Sequence, residues 1–310
     1  MASNLIRLGN NCNERCLFCT VAYDNEKELT HKEVKEKIAF IKEKGGKSIT
    51  FTGGEPTIRD DLPELIKYAK SLGLFTELQT NGIRLSDKNF SNKIIESGID
   101  VIVFSFHSHK KEIFDRLTGL KGSFIKAMKG IKNISGKTEI QISHVINSLN
   151  YRDTIDFVKF MKNKFPYIKF FYFAFIRPNG RTQENKWIVP KISEIDLHLY
   201  KLFNFCKQNK IAFAVEGLPL CYMQGFEEYC AETQRLLSKP VFYIGSNDVK
   251  EDAHKDVIEK NKSKSSVCNH CFLNEICAGL WREYAEMYGL EELFPIFEKK
   301  EKIIEKIKGV

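Results

Sequence analysis

The stretch Leu5-Ile-Arg-Leu-Gly-Asn-Asn-Cys12-Asn-Glu-Arg-Cys16-Leu-Phe-Cys19 joins a short apolar segment to three closely spaced cysteines. The apolar segment, residues 4–9, predicts a β-strand. Three thiolates in one loop can hold an iron–sulfur cluster, and a four-iron cluster held by three thiolates keeps one iron open for another ligand. Zinc is the alternative, because it also binds clustered thiolates. The triplet alone therefore predicts a metal site and leaves the metal undecided.

Length and composition narrow the class of protein. A chain of 310 residues suits one catalytic domain with a small C-terminal module. It contains no run of about 20 apolar residues, and residues 1–7 lack the apolar core of a signal peptide, so we expect a cytoplasmic protein with no membrane partner. In that compartment nine cysteines indicate metal ligands rather than a disulfide framework.

The net charge of +8 comes largely from lysines that alternate with glutamates in helix-like runs. Such runs are typical of a solvated surface, which we favour over a nucleic-acid partner.

Short apolar segments rich in Ile, Val, Phe and Thr alternate along the chain with amphipathic segments of helical period. This alternation is typical of successive βα units around a parallel sheet. The predicted strands are residues 4–9, 47–52, 74–79, 99–106, 138–146 and 168–176, and the predicted helices are residues 30–45, 60–72, 87–97, 122–134, 153–164 and 191–209. After residue 210 the alternation stops. Residues 211–216 predict one further strand, 238–266 a flexible insertion, and 277–288 and 291–308 two helices.

Polar residues follow the predicted strands. In barrels built from βα units, ligands bind at the carboxyl ends of the strands. The second strand ends in Gly53-Gly54-Glu55-Pro56, and glycine lets a backbone approach a ligand closely. The residues after the later strands are Asn81 within Gln79-Thr-Asn-Gly82, Ser105 with His107 and His109, Asn147, and Arg177 with Arg181. Histidine can exchange protons near neutral pH, and arginine can bind a carboxylate or phosphate.

The spacing C-x3-C-x2-C after a first strand, with Phe18 before the last cysteine and Gly-Gly-Glu-Pro after the second strand, resembles the radical S-adenosylmethionine superfamily. The resemblance implies a partial (β/α)6 TIM-like barrel over residues 1–210. It also implies that Cys12, Cys16 and Cys19 hold a four-iron four-sulfur cluster whose open iron is chelated by S-adenosylmethionine. One electron from the cluster would cleave the sulfonium to a 5′-deoxyadenosyl radical, which abstracts a hydrogen from the substrate.

The same resemblance assigns residues to S-adenosylmethionine and assigns no catalytic side chain. The motif at residues 53–56 would bind the amino group of the methionine part of S-adenosylmethionine. The complete predicted set is Gly53, Gly54, Glu55, Pro56, Asn81, Ser105, His107, Asn147 and Arg177. Three of these residues also have an interpretation without a cofactor. Asn81 could simply form an Asn-Gly turn, His107 could be a hydrogen-bonding loop histidine, and Arg177 could lie in a solvated turn.

A second cysteine group, Cys268-x2-Cys271-x5-Cys277, resembles part of the auxiliary-cluster module called SPASM. Trp281 stands where that pattern has its next cysteine, which favours the shorter, one-cluster Twitch type over residues 211–310. We predict Cys221 as the fourth ligand of one auxiliary four-iron cluster, with Cys230 as the second candidate and Cys206 as a packing residue. Zinc remains the alternative for this module as well.

These features predict a radical enzyme whose first candidate substrate is a ribosomally made peptide. The auxiliary cluster would accept an electron or anchor the substrate, and a flavodoxin or ferredoxin would supply electrons. The first strand begins within a few residues of Met1, so we expect no leader-recognition domain before the barrel. The alternatives are a small molecule such as a sugar, nucleoside or cofactor precursor, an RNA substrate, and a zinc-binding interaction module.

Overall fold

The computed structural model describes residues 4–245 and 249–309, apart from the side chains of residues 253 and 254. Its main sheet has nine strands in the order β7-β6-β5-β4-β3-β2-β1-β8-β9. The strands are β1 (Asn4–Arg7), β2 (Ser48–Thr52), β3 (Phe75–Thr80), β4 (Val101–Ser105), β5 (Glu139–Ile146), β6 (Ile168–Phe175), β7 (Phe213–Glu216), β8 (Tyr243–Ile244) and β9 (Val249–Lys250). All neighbouring pairs are parallel except β8 with β9.

Helices lie between the strands along the chain, and two more follow the last strand. They are α1 (His31–Glu43), α2 (Leu62–Ser71), α3 (Lys88–Glu96), α4 (Lys111–Thr118), α5 (Ser123–Ile134), α6 (Thr154–Lys164), α7 (Ile192–Gln208), α8 (Ala231–Leu236), α9 (Ala253–Asn261), α10 (Arg282–Tyr288) and α11 (Lys300–Lys308). The first of them starts with a capping box, in which Thr30 accepts from the Glu33 backbone and Glu33 accepts from the Thr30 backbone. A two-stranded hairpin, β10 (Lys262–Ser263) with β11 (Leu280–Trp281), lies in the C-terminal part.

The two faces of the parallel sheet have different chemistry. Phe51, Phe104 and Phe171 point outward and are fully buried under the helices. On the opposite, inner face, Ser105 on β4, Ser143 on β5 and Tyr172 on β6 are partners in the parallel register, and the Tyr172 hydroxyl is bonded to Glu216 and Arg235. Because these three are only half-buried, the inner face is open enough to contact a ligand.

The α/β architecture and its six predicted βα units are confirmed. Each strand and helix predicted for these six units is present within a few residues, and the further strand predicted at 211–216 is β7. Since β7, β8 and β9 join the same sheet, the sheet continues beyond residue 210. The domain boundary at 210 therefore stays a prediction about module organisation rather than a break in the sheet.

The local structure differs from the sequence predictions in three places. Helix α4 was not predicted, although Phe114 and Leu117 give it an apolar face that is fully buried. The segment 238–266 is not simply a flexible insertion, because its described residues form β8, β9, α9 and β10, and β8 is held against β1. The helices predicted at 277–288 and 291–308 begin later, at Arg282 and Lys300, because the preceding residues form loops around the second cysteine group.

None of the helices in the described part of the chain combines the length and the apolar character needed to cross a membrane.

We expect the outer-face packing to dominate stability. Replacing Phe104, which is fully buried on the central strand β4, with alanine should lower the free energy of unfolding by about 3–5 kcal/mol because a large cavity opens. Phe75→Ala is the matched control, since Phe75 is 49% exposed at the start of β3, and it should cost less than about 0.5 kcal/mol. Urea denaturation followed by circular dichroism measures both. Equal losses in the two variants would contradict this assignment of the core.

Candidate functional site

The loop that carries Cys12, Cys16 and Cys19 leaves the carboxyl end of β1. Its backbone is fixed by the end of α4, because the Arg15 and Leu17 amides donate to the Thr118 and Leu117 carbonyls, both at 2.9 Å. As whole residues, Cys12 is exposed and Cys16 and Cys19 are half-buried. The three cysteines therefore lie at the carboxyl ends of the strands, where the sequence predicted that ligands would bind.

The loop after β6 clamps the other side of the triplet. The Arg181 amide donates to the Cys19 carbonyl at 2.9 Å, and its guanidinium donates to the Cys16 carbonyl at 3.3 Å. Gly180 is required beside it, because a Cβ there would lie 2.3 Å from the Cys19 carbonyl oxygen. Arg181 therefore holds the backbone of the triplet instead of extending freely into solvent.

The local environment of the thiols is poor for an isolated thiolate. Burial raises the pKa of Cys12 to about 11 and places the pKa of Cys16 well above its ordinary value. A bound cation reverses this preference, because a coordinated thiol is deprotonated outright. The donor set, three cysteines on one short rigid loop, suits a cluster that brings its own positive charge.

The glycine pair at the end of β2 packs directly on the triplet loop. The Gly54 amide donates to the Gly9 carbonyl at 2.9 Å, and the Glu55 amide donates to the Asn11 carbonyl at 2.8 Å. A Cβ on Gly54 would lie 2.2 Å from the Asn11 carbonyl oxygen, and one on Gly53 would lie 2.6 Å from that of Gly9. The close approach that the glycines permit is therefore made, at least in part, to the protein's own backbone.

Glu55 connects β2 to β3 through a buried carboxylate. Oε1 accepts from the Thr57 amide at 2.9 Å and from the Thr57 and Thr80 hydroxyls, and Oε2 accepts from the Asn81 amide at 2.7 Å. Burial raises the pKa of Glu55, and these four hydrogen bonds oppose that shift. The carboxylate thus fixes the relative positions of two strand ends beside the triplet. Pro56, the next residue, is buried and begins a short 3-10 turn.

Asn81 extends this arrangement to the triplet itself. Its side-chain amide donates to Oδ1 of Asn13, the residue after Cys12, at 2.7 Å. Its own Oδ1 accepts from the Ile83 amide at 3.0 Å. The Asn-Gly sequence therefore forms a turn, as its ordinary interpretation predicts, and also contacts the cysteine loop.

His107 lies close to the triplet through Phe18, whose ring centroid is 4.8 Å away. Its Nδ1 accepts from the Val145 amide at 3.1 Å, which leaves the proton of the neutral ring on Nε2. Burial lowers the pKa of His107 to about 3. The ring is therefore a neutral hydrogen-bonding group, and Ser105 lies two residues before it on the inner face of β4.

Two residues predicted at S-adenosylmethionine have their side chains engaged elsewhere. Asn147 is fully buried, donates to the Val145 carbonyl at 3.0 Å and accepts from the Leu149 amide at 3.0 Å within its own turn. Arg177 forms a 2.6 Å ion pair with Glu283 of α10. Roles for Asn147 and Arg177 at the cofactor stay predictions, and the contacts of Arg177 face the C-terminal part.

The second cysteine group meets the predicted fourth cysteine in one small cavity. It is lined by Pro219, Leu220, Cys221, Lys264, Cys268, Cys271, Asn274, Cys277, Gly279, Leu293 and Phe294. Cys230 and Cys206 do not line this cavity, and Cys206 is buried within α7 as a packing residue. The structure therefore places Cys221, rather than Cys230, together with Cys268, Cys271 and Cys277.

Hydrogen-bond donors point at the sulfurs of this second group. The Leu220 amide lies 3.4 Å from Cys277 Sγ, and the Ile296 amide lies 3.3 Å from Cys271 Sγ. The Ser265 hydroxyl lies 3.8 Å from Cys268 Sγ. Such donors stabilise ligating sulfurs and tune an iron–sulfur cluster.

Neither cysteine group converges on one point. Across residues 4–245 and 249–309, no three His, Cys, Asp or Glu side chains are arranged to bind a single metal ion. A four-iron cluster does not require such convergence, because each cysteine binds a different iron.

One polar residue of the triplet loop was missed by sequence reasoning. Burial, with the neighbouring Glu55 and Asp115 carboxylates adding to it, raises the pKa of Glu14 to about 8, and its carboxyl group accepts from Cys16 Sγ at 3.5 Å. Nothing in the sequence around Glu14, which lies in a loop between Cys12 and Cys16, indicates that its carboxyl group is buried. Its environment arises only when α4 and β2 close around the loop.

Comparisons with known proteins agree with this geometry. The Radical SAM superfamily model matches residues 6–161. Fe-coproporphyrin III synthase of Methanosarcina barkeri is 32% identical over 169 residues, which cover 53% of this chain and 42% of that protein. A probable GTP 3′,8-cyclase of Thermococcus kodakarensis is 34% identical over 120 residues, or 38% of each protein. The chain thus spans about two fifths of the length of these curated relatives.

Solved structures share the fold over nearly the whole chain. Streptococcus suis SuiB superposes with a TM-score of 0.64 at 19% identity, over 94% of this chain and 76% of that chain. The anSMEcpe structure with bound AdoMet superposes with a TM-score of 0.65 at 18% identity, over 99% and 92%. The family match covers half of the 310 residues, including the triplet, the glycine motif and four of the parallel strands beyond β1. The chain therefore belongs to the radical SAM superfamily.

Proposed function

We propose that this radical SAM enzyme holds its four-iron four-sulfur cluster at Cys12, Cys16 and Cys19 and modifies a peptide by hydrogen-atom abstraction. The observation that carries the cluster assignment is the rigid triplet loop, which is clamped by β2, β3, α4 and the loop after β6. With S-adenosylmethionine bound, the cluster supplies the electron that generates the 5′-deoxyadenosyl radical. The protein's part is to bind, orient and exclude water.

The residues around the triplet divide this work. The ends of β2 and β3, held together by Glu55, form one wall of the cofactor site with Gly53, Gly54 and Asn81. Ser105, at the end of β4, and neutral His107, two residues after it, form the adjacent wall. Because these walls are built from strand ends, the geometry is set before S-adenosylmethionine binds.

We further assign one auxiliary four-iron cluster to Cys221, Cys268, Cys271 and Cys277. Four cysteines satisfy all four irons, so a substrate would have no open iron to bind. This ligand count supports electron acceptance over substrate anchoring as the role of the cluster. A small acidic one-electron carrier such as a flavodoxin or ferredoxin is the proposed electron donor.

The proposal of a peptide substrate rests on the share of this chain that is covered by each group of similar proteins. The curated relatives, Fe-coproporphyrin III synthase and a probable GTP 3′,8-cyclase, match about half of this chain or less. SuiB bound to its precursor peptide SuiA, and anSMEcpe with AdoMet and a bound peptide, superpose over 94% and 99% of it. The Ser105 and Ser143 hydroxyls, on the open inner face, suit the amide groups of such a substrate.

Replacing Cys12, Cys16 and Cys19 together with alanine should abolish reductive cleavage of S-adenosylmethionine, because the radical-generating cluster loses its ligands. The measurement is 5′-deoxyadenosine formed with dithionite. Iron should fall from about eight to about four atoms per chain, since the auxiliary cluster remains. Cys206→Ala is the matched control and should retain both clusters. Cleavage that persists in the triple variant would refute the assignment.

The fourth auxiliary ligand is tested by comparing Cys221→Ala with Cys230→Ala. Both side chains are buried cysteines near the C-terminal group, so the loss of packing is similar. We expect only Cys221→Ala to lose the four-iron form of the auxiliary cluster, seen by iron content and electron paramagnetic resonance. The reverse pattern would assign Cys230 as the ligand instead.

The substrate class is tested with the product of any short reading frame beside the gene, made with deuterated side chains. We expect deuterium to appear in 5′-deoxyadenosine and the peptide mass to fall as hydrogens are removed. GTP and total tRNA are supplied in parallel reactions. Neither should be converted to a product, and neither should increase the amount of 5′-deoxyadenosine formed. Conversion of GTP or RNA with an unchanged peptide would replace the peptide assignment with one of its alternatives.

A further inference from the structure

A buried ion pair lies between the barrel and the second cysteine group. Lys262 Nζ is 2.5 Å from Glu232, and the two side chains are 1% and 3% exposed. The lysine also lies 3.5 Å from the ring centroid of Trp281, its register partner in the β10–β11 hairpin. Transferring two such charges from water is expensive, and an apolar pair often packs as well. Stability alone is therefore a weak reason for this pair.

The contacts of Glu232 place its charge beside the auxiliary site. Its second oxygen accepts from the Gly217 amide at the end of β7 at 2.9 Å. The next residue, Thr233, donates to the carbonyl of Ile276, which precedes Cys277, at 2.9 Å. On the other side, the Leu220 amide points at Cys277 Sγ. The carboxylate is thus bracketed by the two backbone segments that hold this cysteine.

We propose that the buried Glu232–Lys262 pair sets the reduction potential of the auxiliary cluster by balancing charge next to Cys277. The inference rests on the auxiliary cluster of the proposed function. A cluster gains negative charge on reduction, and its potential depends on nearby charge, hydrogen bonds and burial. Charges buried in low dielectric act more strongly than exposed ones, which water screens. Glu232 opposes reduction, and Lys262 offsets that effect.

Trp281 gives the pair its position. The indole, which occupies the place of the next cysteine in the SPASM pattern, lies under Lys262 and also 4.7 Å from the Arg177 guanidinium. The ammonium group of Lys262 lies over the indole face, and this cation–π contact helps to hold the side chain in place. Trp281 therefore acts as a positioning residue between the barrel end of β6 and the auxiliary module.

The test uses the Cys12→Ala, Cys16→Ala, Cys19→Ala chain as parent, so that only the auxiliary cluster is observed in a redox titration by electron paramagnetic resonance. Glu232→Gln removes one buried negative charge beside Cys277 and should raise the midpoint potential. We expect a change of about tenfold in the reduced-to-oxidised ratio at a fixed potential, which is ~59 mV for one electron. Adding Lys262→Met to Glu232→Gln should return the potential close to that of the parent.

Glu275→Gln is the matched control, because Glu275 is two residues before Cys277 in the chain but 74% exposed and paired with Lys300. Its potential should stay near the parent value. A Glu232→Gln chain with four irons and an unshifted potential would overturn the inference, as would a double variant shifted as far as the single one. If Glu232→Gln cannot hold the cluster, Lys262→Met is measured alone, and it must lower the potential. A parent chain without four irons would instead refute the proposed auxiliary cluster.

Discussion

The structure depends on a close approach between two backbones, the end of β2 and the loop of Cys12 to Cys19. No side chain fits between them, so residues 53 and 54 must be glycine. The following residue, Glu55, turns inward and accepts four hydrogen bonds, two from Thr57 and two, from Thr80 and Asn81, that join the end of β2 to the end of β3. A buried carboxylate is tolerated only when it is hydrogen-bonded in this way. The cysteine loop is consequently positioned by the sheet, and its geometry does not depend on the loop sequence alone.

The same sheet also positions the second cysteine group. Cys221 follows β7 directly, and the Glu232 carboxylate that accepts from Gly217 belongs to α8, the next helix. Arg177, after β6, reaches α10 through Glu283. Both proposed clusters therefore lie beyond the carboxyl ends of one set of parallel strands, with the hydroxyl-lined inner face between the ends of β1 and β7. This arrangement suits the proposed reaction, in which a substrate loses a hydrogen atom near the first cluster and passes an electron to the auxiliary cluster.

Much of this could be predicted from sequence because the signals are local. Alternating apolar segments located the six βα units, and cysteine spacing with the Gly-Gly-Glu-Pro motif identified the superfamily. Helix α4 was missed because it is only eight residues long and follows a strand without a clear cap. The short strands β8 and β9 were missed because two residues carry no periodicity.

The environments of single side chains were beyond sequence reasoning for a different reason. Glu14, Glu232 and Lys262 read as surface charges in the sequence, yet each lies among elements distant in the chain. Arg177 was predicted at the cofactor from its place after β6, whereas its observed partner is 106 residues away. Such contacts are created by tertiary packing, which a linear pattern does not encode. The preference for Cys221 over Cys230, in contrast, was made from sequence, and the cavity that Cys221 lines with Cys268, Cys271 and Cys277 agrees with it.

The most direct test of the central claim is the electron paramagnetic resonance spectrum of the dithionite-reduced protein recorded before and after S-adenosylmethionine is added. If Cys12, Cys16 and Cys19 leave one iron open, chelation of that iron by S-adenosylmethionine will change the signal of one cluster and leave that of the auxiliary cluster unchanged. A reduced four-iron signal that does not respond to saturating S-adenosylmethionine would contradict the account.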